Sequence, residues 1–195
     1  MPSPITPQDI VYELISVSAP SISLTGTKLV FVRSKTNKDD MKNCSRIIMM
    51  ELPKGDEIQF TNGTEDSAPT FSPDGRSVAF LRPDNSGRKQ VWIIPTAAGE
   101  ARKLTYAPSG VIELSWAPDS KALAFVSNVD PDMPPTTAKQ DKLPRVRVVR
   151  RIRYRFDGVG WRGDGFRKVF TVDTTSGKTR QFTYGEGEDG SPMWS

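Results

Sequence analysis

Six arginines fall within eleven residues of the stretch RVRVVRRIRYR, Arg145 to Arg155, with no lysine and no acidic residue among them. A guanidinium is planar, permanently charged and forked, so such clustering points to bidentate pairing with carboxylate or phosphate. From Arg151 onward the pattern alternates. Arg151, Arg153 and Arg155 share one face of an extended strand, and Ile152, Tyr154 and Phe156 share the other. These three arginines are the candidate substrate-binding residues, with a solvated strand face as the plainer alternative. The alternation breaks at Val148–Val149 and Arg150–Arg151, where a bulge or strand junction is expected. The formal net charge of the chain is +4; the strip alone carries more than that, so the basicity is local. A general nucleic-acid binder draws its cations from several elements. Nucleic acid is therefore not the expected partner, although Tyr154 and Trp161 lie near enough in sequence to stack on bases.

The remaining chemistry is set by what the sequence lacks. It has no histidine, which removes a Ser-His-Asp triad, Cys-His pairs and histidine-containing metal sites. No G-x-S-x-G nucleophile elbow occurs, so the chain is expected to hold no catalytic residue. GVGWRG, Gly158 to Gly163, has dinucleotide-fingerprint spacing, but DGFRKVFTV after it reads as a turn and a strand rather than a helix. SGKT, Ser176 to Thr179, reads as a hairpin turn around Gly177. GEGEDG, Gly185 to Gly190, carries carboxylates at Glu186, Glu188 and Asp189, and it reads as a solvated acidic loop before a cation site. No cofactor and no metal are expected. Cys44 is the only cysteine and reads as a small neutral residue, with no disulfide and no oxidising compartment implied. No apolar run reaches bilayer length, and the first twenty residues lack a secretory pattern, so a cytoplasmic protein without membrane contact is expected.

What positions these residues is an internal repeat. SAPSISLTGTKLVFV from Ser18, SAPTFSPDGRSVAFL from Ser67 and IELSWAPDSKALAFV from Ile112 share a pattern, and GSPMWS from Gly190 begins another copy. A second half-repeat aligns IIMMELPKGDEIQFT from Ile47, VWIIPTAAGEARKLT from Val91 and VFTVDTTSGKTRQFT from Val169 without a gap. Gly55, Gly99 and Gly177 then coincide, as do Phe60, Leu104 and Phe182, each followed by Thr. Each unit reads as four short strands, with Asp74-Gly75 supplying the positive φ of a tight hairpin. The third repeat loses that glycine at Ser120, where Asp119-Ser120 must turn instead. TPQDIVYEL alone looks helical, with Thr6 as N-cap and Asp9 in the first turn.

Four-stranded units of about 45 residues pack radially as β-propeller blades, because one small sheet cannot cover both of its faces. The expectation is an all-β, incomplete β-propeller: three four-stranded blades plus the start of a fourth, with a short N-terminal helix. The blades are expected at about 18–61, 67–105 and 112–183, the last with an insertion at about 129–162, and 190–195 starts the next. The arginine strip is expected to resume the third blade after that insertion. Open sheet faces and strand edges lead to an expectation of poor solubility or of association, a homo-oligomer being one form of it.

The entry helix, the SAPTFSPDGRSVAFLR blade, and RRIRYRFDGVGW followed by KVFTVDTTSGKTRQFTYGEGEDGSPMWS resemble the N-terminal β-propeller of prolyl oligopeptidase family serine peptidases. The acylaminoacyl-peptidase-like or dipeptidyl-aminopeptidase-like branch is the nearest in pattern, although no Asp-Trp-x-Tyr-Glu-Glu string of the dipeptidyl-peptidase kind is present. The resemblance implies a C-terminal α/β-hydrolase domain, absent from this chain, that carries the catalytic residues. It implies a propeller that gates short peptide substrates, with arginines such as Arg151, Arg153 and Arg155 engaging a peptide carboxylate. TolB-type propellers share the FSPDG repeat, so a non-enzymatic TolB-like or WD-repeat-like scaffold stands as the alternative.

Overall fold

The computed structural model describes residues 5–130, 155–156, 160–161 and 165–194. A short helix, α1 (Pro7–Tyr12), opens the chain. Thr6 caps it: its Oγ1 accepts from the Asp9 N–H at 3.2 Å, and Asp9 Oδ2 accepts from the Thr6 N–H at 2.8 Å. This reciprocal box satisfies two of the donors that a helix start leaves free.

Three four-stranded antiparallel sheets follow. Blade 1 comprises β1 (Ser16–Ile22), β2 (Lys28–Thr36), β3 (Asn43–Glu51) and β4 (Glu57–Gln59) in sequence order. Blade 2 comprises β5 (Ser67–Phe71), β6 (Ser77–Pro83), β7 (Lys89–Pro95) and β8 (Arg102–Lys103), again in order. Blade 3 begins with β9 (Glu113–Trp116) and β10 (Ala122–Val129). A separate two-stranded sheet of β11 (Arg155–Phe156) and β12 (Gly160–Trp161) comes next in the chain, before blade 3 is completed by β13 (Phe166–Asp173) and β14 (Thr179–Gln181).

The repeated residues are the ones that make repeated bonds. The threonine that ends each second half-repeat accepts a hydrogen bond from the residue that opens it: Ile47 N–H to Thr61 at 3.1 Å, Val91 to Thr105 at 2.9 Å, Val169 to Thr183 at 2.9 Å. Each bond ties the outer strand to the third strand past the point where the ladder ends. The hairpin between the first two strands turns at Gly26 (φ 71°), Gly75 (φ 70°) and, in the third repeat, Ser120 (φ 61°). Ser120 therefore takes the left-handed conformation that the missing glycine would have supplied, and its Oγ accepts from the Asp74 N–H of the preceding blade at 3.0 Å. Ala19 (φ 48°) and Ala68 (φ 51°), each just before a proline, sit where the β1–β2 and β5–β6 registers shift, which marks a bulge in the innermost strand. Ser191 (φ 47°), before Pro192, repeats that geometry at the beginning of the fourth copy.

The cores lie between blades. Val30, Ile47 and Met49 of blade 1 pack against Phe71, Val78 and Phe80 of blade 2. Leu81, Val91 and Leu104 of blade 2 pack against Trp116, Leu123 and Phe125 of blade 3. Blade 2 thus buries both faces, as a propeller blade must. No helix among the described residues is long and apolar enough to cross a membrane.

Of the arginine strip expected to resume the third blade, only Arg155 is among the described residues, and it lies in β11 rather than in the third strand of that blade. That place is taken by β13, which pairs with β10 from Phe166 opposite Val129 to Asp173 opposite Ala122. The insertion accordingly runs from 130 to 165. Val169 and Val172 of this strand are buried, and the cation it buries, Lys168, is met by the Gly187 carbonyl and the Asp189 carboxylate.

Candidate functional site

The loops joining second to third strands and the linkers between blades meet along one rim of blades 2 and 3. Asp66 ends the linker into blade 2 and is fully buried. The Arg82 guanidinium meets it with a fork, Nε to Oδ1 at 2.6 Å and Nη2 to Oδ2 at 2.9 Å. Arg82 also lies over the rings of Phe80 and Trp92, 5.1 and 5.0 Å from their centroids. A bidentate pair stacked on aromatic faces is the arrangement for which arginine, not lysine, is suited.

Asp84 organises the next turn. Its Oδ1 accepts from the Ser86 N–H at 2.9 Å, the Ser86 hydroxyl at 2.5 Å and the Arg88 N–H at 3.2 Å. Burial pushes its carboxyl up, but these bonds and the Lys103 charge outweigh that and hold it at about 2. Lys103 Nζ reaches Asp84 Oδ2 at 3.5 Å and stands 4.4 Å from the centre of the Tyr106 ring. Gln90, buried, clamps the linker into blade 3 by donating to the Ala107 carbonyl and accepting from the Ala107 N–H, both at 2.9 Å.

That clamp shapes a cavity of about 500 Å³. Its floor is the stacked pair Phe125 and Phe170, ring centres 5.3 Å apart and 13° from parallel. Ala107, Pro108, Asn128, Val129 and Asp130 also line it. The volume falls within the range of small-ligand pockets, and a largely apolar lining with a few polar groups suits a bulky side chain or a compact organic group. Asp130, which follows β10, is one of the lining residues. No group of histidine, cysteine, aspartate or glutamate residues arranged to hold a metal is found among the described residues. With no histidine in the chain, the rim can bind and orient but offers no imidazole base for a nucleophile.

Of the sequence candidates, Arg151 and Arg153 lie outside the described residues, and so do most of GVGWRG and the expected packing partners Ile152 and Tyr154. Arg155 lies in β11, its backbone opposite Trp161 of β12. The acidic loop is already served by a protein cation. Lys168, buried, donates to the Gly187 carbonyl at 2.9 Å and to Asp189 Oδ2 at 2.8 Å. The Lys168 hydrogen bond, with one from Thr183, lowers the Asp189 carboxyl below its ordinary value. SGKT is a turn: Asp173 Oδ1 accepts from the Ser176 N–H at 2.6 Å, and Gly177 has φ 71°. Sequence reasoning missed the Asp66–Arg82 pair and the cavity. Asp66 and Asp189 do occupy the same repeat position, just ahead of Ser67 and Gly190, but nothing in the order of residues says which cation each meets.

Three four-stranded antiparallel sheets, each packed face to face on the next, define a β-propeller. Over 195 residues the chain is 32% identical to YuxL of Bacillus subtilis (strain 168), described as an uncharacterised peptidase; the match takes in 98% of this chain and 29% of that protein. The acylaminoacyl peptidase of Pyrococcus horikoshii superposes with a TM-score of 0.73 at 20% identity, over 90% of this chain and 26% of that one. TolB of Acinetobacter baumannii superposes with a TM-score of 0.52 at 20% identity, over 85% of this chain and 32% of that one. No family model matches the chain. It spans less than a third of the length of each of these relatives. The resemblance read from the residues is borne out in fold and in relatives: a peptidase is the sequence relative, and an acylaminoacyl peptidase and the β-propeller domain of a Pyrococcus furiosus protease are among the structures that superpose.

Proposed function

We propose that the chain is the substrate-gating propeller portion of a serine peptidase that hydrolyses short peptides, of acylaminoacyl-peptidase or oligopeptidase type, and that it is not catalytic by itself. In this reading a C-terminal hydrolase domain of the longer protein supplies nucleophile, acid and base, and the propeller admits substrate. The observation that carries it is the position of the insertion, which leaves blade 3 at Asp130 beside an aromatic-floored cavity and holds the arginine strip. Arg151, Arg153 and Arg155 would meet a peptide carboxylate, while the cavity would take an apolar side chain.

The test is made in the longer protein that carries this propeller. Replacing the insertion with a short turn is expected to raise kcat/KM for long peptides relative to short ones by about tenfold or more, because exclusion by size is an effect on access. An unchanged ratio would overturn gating by this segment. The TolB-like scaffold is the second reading, favoured by the TolB superposition. It predicts a protein without peptidase activity and without a G-x-S-x-G sequence downstream of this propeller.

A further inference from the structure

One slot recurs in every blade, and the repeat shows what it holds. Two residues after the phenylalanine of the second strand, blades 1 and 2 carry an arginine and blade 3 a serine: Phe31 with Arg33, Phe80 with Arg82, Phe125 with Ser127. In blade 1 the Arg33 guanidinium lies 5.9 Å from the centre of the Phe31 ring. In blade 2 the Arg82 guanidinium lies over two rings, Phe80 and its cross-strand partner Trp92. Blade 3 has two rings at the same positions, since Phe125 stands opposite Phe170 as Phe80 stands opposite Trp92. Ser127 is too short to reach over them, and its hydroxyl donates instead to the Gly110 carbonyl at 2.7 Å. The cavity of about 500 Å³ is lined by these three residues, at the place where blade 2 seats a flat group of its own.

The charges around the slot differ between the blades. In blade 2 the flat group is a cation, and the buried Asp66 carboxylate meets it with a fork. The crevice beside it is lined by Asp84 and Lys103 as well as Arg82 and Trp92. In blade 3 the buried Val111 stands in place of Asp66. Gln181 stands in place of Lys103, and its amide donates to the Thr183 carbonyl at 2.8 Å. Asp130 lines the cavity, but from the position of Asn85, beyond the end of β10. A guanidinium over Phe125 and Phe170 would therefore lose hydration without the forked carboxylate that holds Arg82. An uncharged flat group keeps the contact with the rings and needs no counter-ion. Aromatic side chains meet both conditions, and ring pairs gain stability beyond the area they bury.

We infer that the cavity between blade 3 and the linker 106–109 selects the aromatic side chain of a peptide, whose ring lies against Phe125 and Phe170 as the Arg82 guanidinium lies against Phe80 and Trp92. This selection rests on the peptide-admitting role proposed above and narrows the apolar side chain of that role to an aromatic one. An aliphatic side chain fills the same volume but forgoes the ring contact. An arginine side chain is flat but lacks its fork. Both faces of the cavity belong to blades 2 and 3 and their linker, so its shape is set within this part of the fold. An apolar side chain of the chain itself is the competing occupant.

The experiment titrates the longer protein that carries this propeller with the N-acetyl amides of phenylalanine, leucine and arginine, and follows the probes by nuclear magnetic resonance. None of the probes has a free carboxylate, so the arginine strip is not read. The parent is compared with the double variant Val111→Asp with Ser127→Arg, which copies the blade 2 pair and lays a guanidinium of the chain over the two rings. Thr179→Trp narrows the cavity from an exposed position and covers the case in which the double variant does not fold; circular dichroism checks that the strands persist. The phenylalanine probe is expected to bind the parent about threefold to tenfold tighter than the leucine probe. That advantage is expected to vanish in each folded variant. Equal binding of phenylalanine and leucine, or arginine bound tightest, overturns aromatic selection. A phenylalanine advantage that survives both variants places the aromatic site elsewhere and overturns it equally. Binding of no probe leaves the cavity to a side chain of the chain itself and also overturns it. The readout needs no turnover: a protein that selects phenylalanine here but does not sort peptides by length keeps this site and loses gating, and the reverse result loses this site alone.

Discussion

The indole N–H of Trp194 donates to the carbonyl of Ser115 at 3.2 Å, and in the preceding repeat Trp116 donates to the carbonyl of Thr70 at 3.1 Å. Ser115 and Thr70 occupy one repeat position, and the two tryptophans occupy the next. The bond is thus a property of the propeller and not of either blade: each new innermost strand is pinned to the one before it through a side chain. Blade 2 carries Phe71 at that position, which has no side-chain N–H to give; there the backbone N–H of Phe71 donates to Ser21 Oγ at 3.3 Å.

Trp116→Phe keeps most of the apolar contact but removes the donor. It is expected to cost about 0.5–1.5 kcal/mol, the net value of one such hydrogen bond. Trp116→Ala removes the packing as well and is expected to cost about 3–5 kcal/mol. Urea unfolding of both variants measures the difference; a Trp116→Phe variant as stable as the parent would show that the bond contributes nothing.

Thr105→Val keeps the shape of the side chain while leaving the Val91 N–H without its acceptor. The site is buried, so the expected loss is about 1–3 kcal/mol. Thr105→Ser retains the oxygen and is expected to lose much less. The same comparison at Thr61 and Thr183 extends the test to the other blades.

Blade 3 meets the need that the Asp66–Arg82 pair answers in blade 2 differently, with Val111 and Ser127 at the equivalent positions and the Ser127 hydroxyl donating to the Gly110 carbonyl at 2.7 Å. Arg82→Ser alone leaves the buried Asp66 carboxylate unpaired and is expected to cost about 3–5 kcal/mol. Adding Asp66→Val, which copies blade 3, is expected to recover a large part of that loss. A double variant less stable than the single one would show that the pair does more than satisfy its own charges.

Glu13, just after α1, is held to blade 1 by Lys35 Nζ at 2.8 Å and Lys38 Nζ at 2.7 Å. These bonds, Lys35 first, lower its carboxyl from an ordinary value of 4.5 to about 2. A lowered carboxyl favours the folded arrangement above its ordinary value. That contribution is lost as pH falls from about 4.5 through about 2. The helix is therefore expected to loosen from blade 1 over that window, and more readily at high salt because the pair is exposed. Pepsin cleavage near Leu14 followed against pH checks it, and Glu13→Gln should show the loosened pattern throughout.

In the longer protein, Arg153→Ala and Arg155→Ala are expected to raise KM for peptides with a free carboxylate more than for blocked ones. Equal effects on both substrates would count against carboxylate recognition by this strip.

The blades can be read from the sequence because their signals are local. Alternation of apolar residues sets each strand, Asp74-Gly75 and its equivalents set each hairpin, and Thr6 with Asp9 sets the helix start. Even Ser120, which lacks the glycine, is legible as a turn from its place in the repeat. The candidate site is far less legible. The arginine strip alternates as a strand should, yet β13, beginning at Phe166, is the strand that completes the blade. Local alternation cannot tell a sheet interior from a sheet beside it; the need to cover both faces with apolar groups decides that. Likewise Asp66 and Asp189 look alike in sequence, but one meets an arginine of its own blade and the other a buried lysine of the preceding blade. The order of residues thus carries the repeat, the strands of each blade and the absence of histidine chemistry. Folding selects which charges pair and where Phe125 and Phe170 stack to line a cavity. Those outcomes depend on desolvation and on contacts between residues far apart in the chain, which no local pattern encodes.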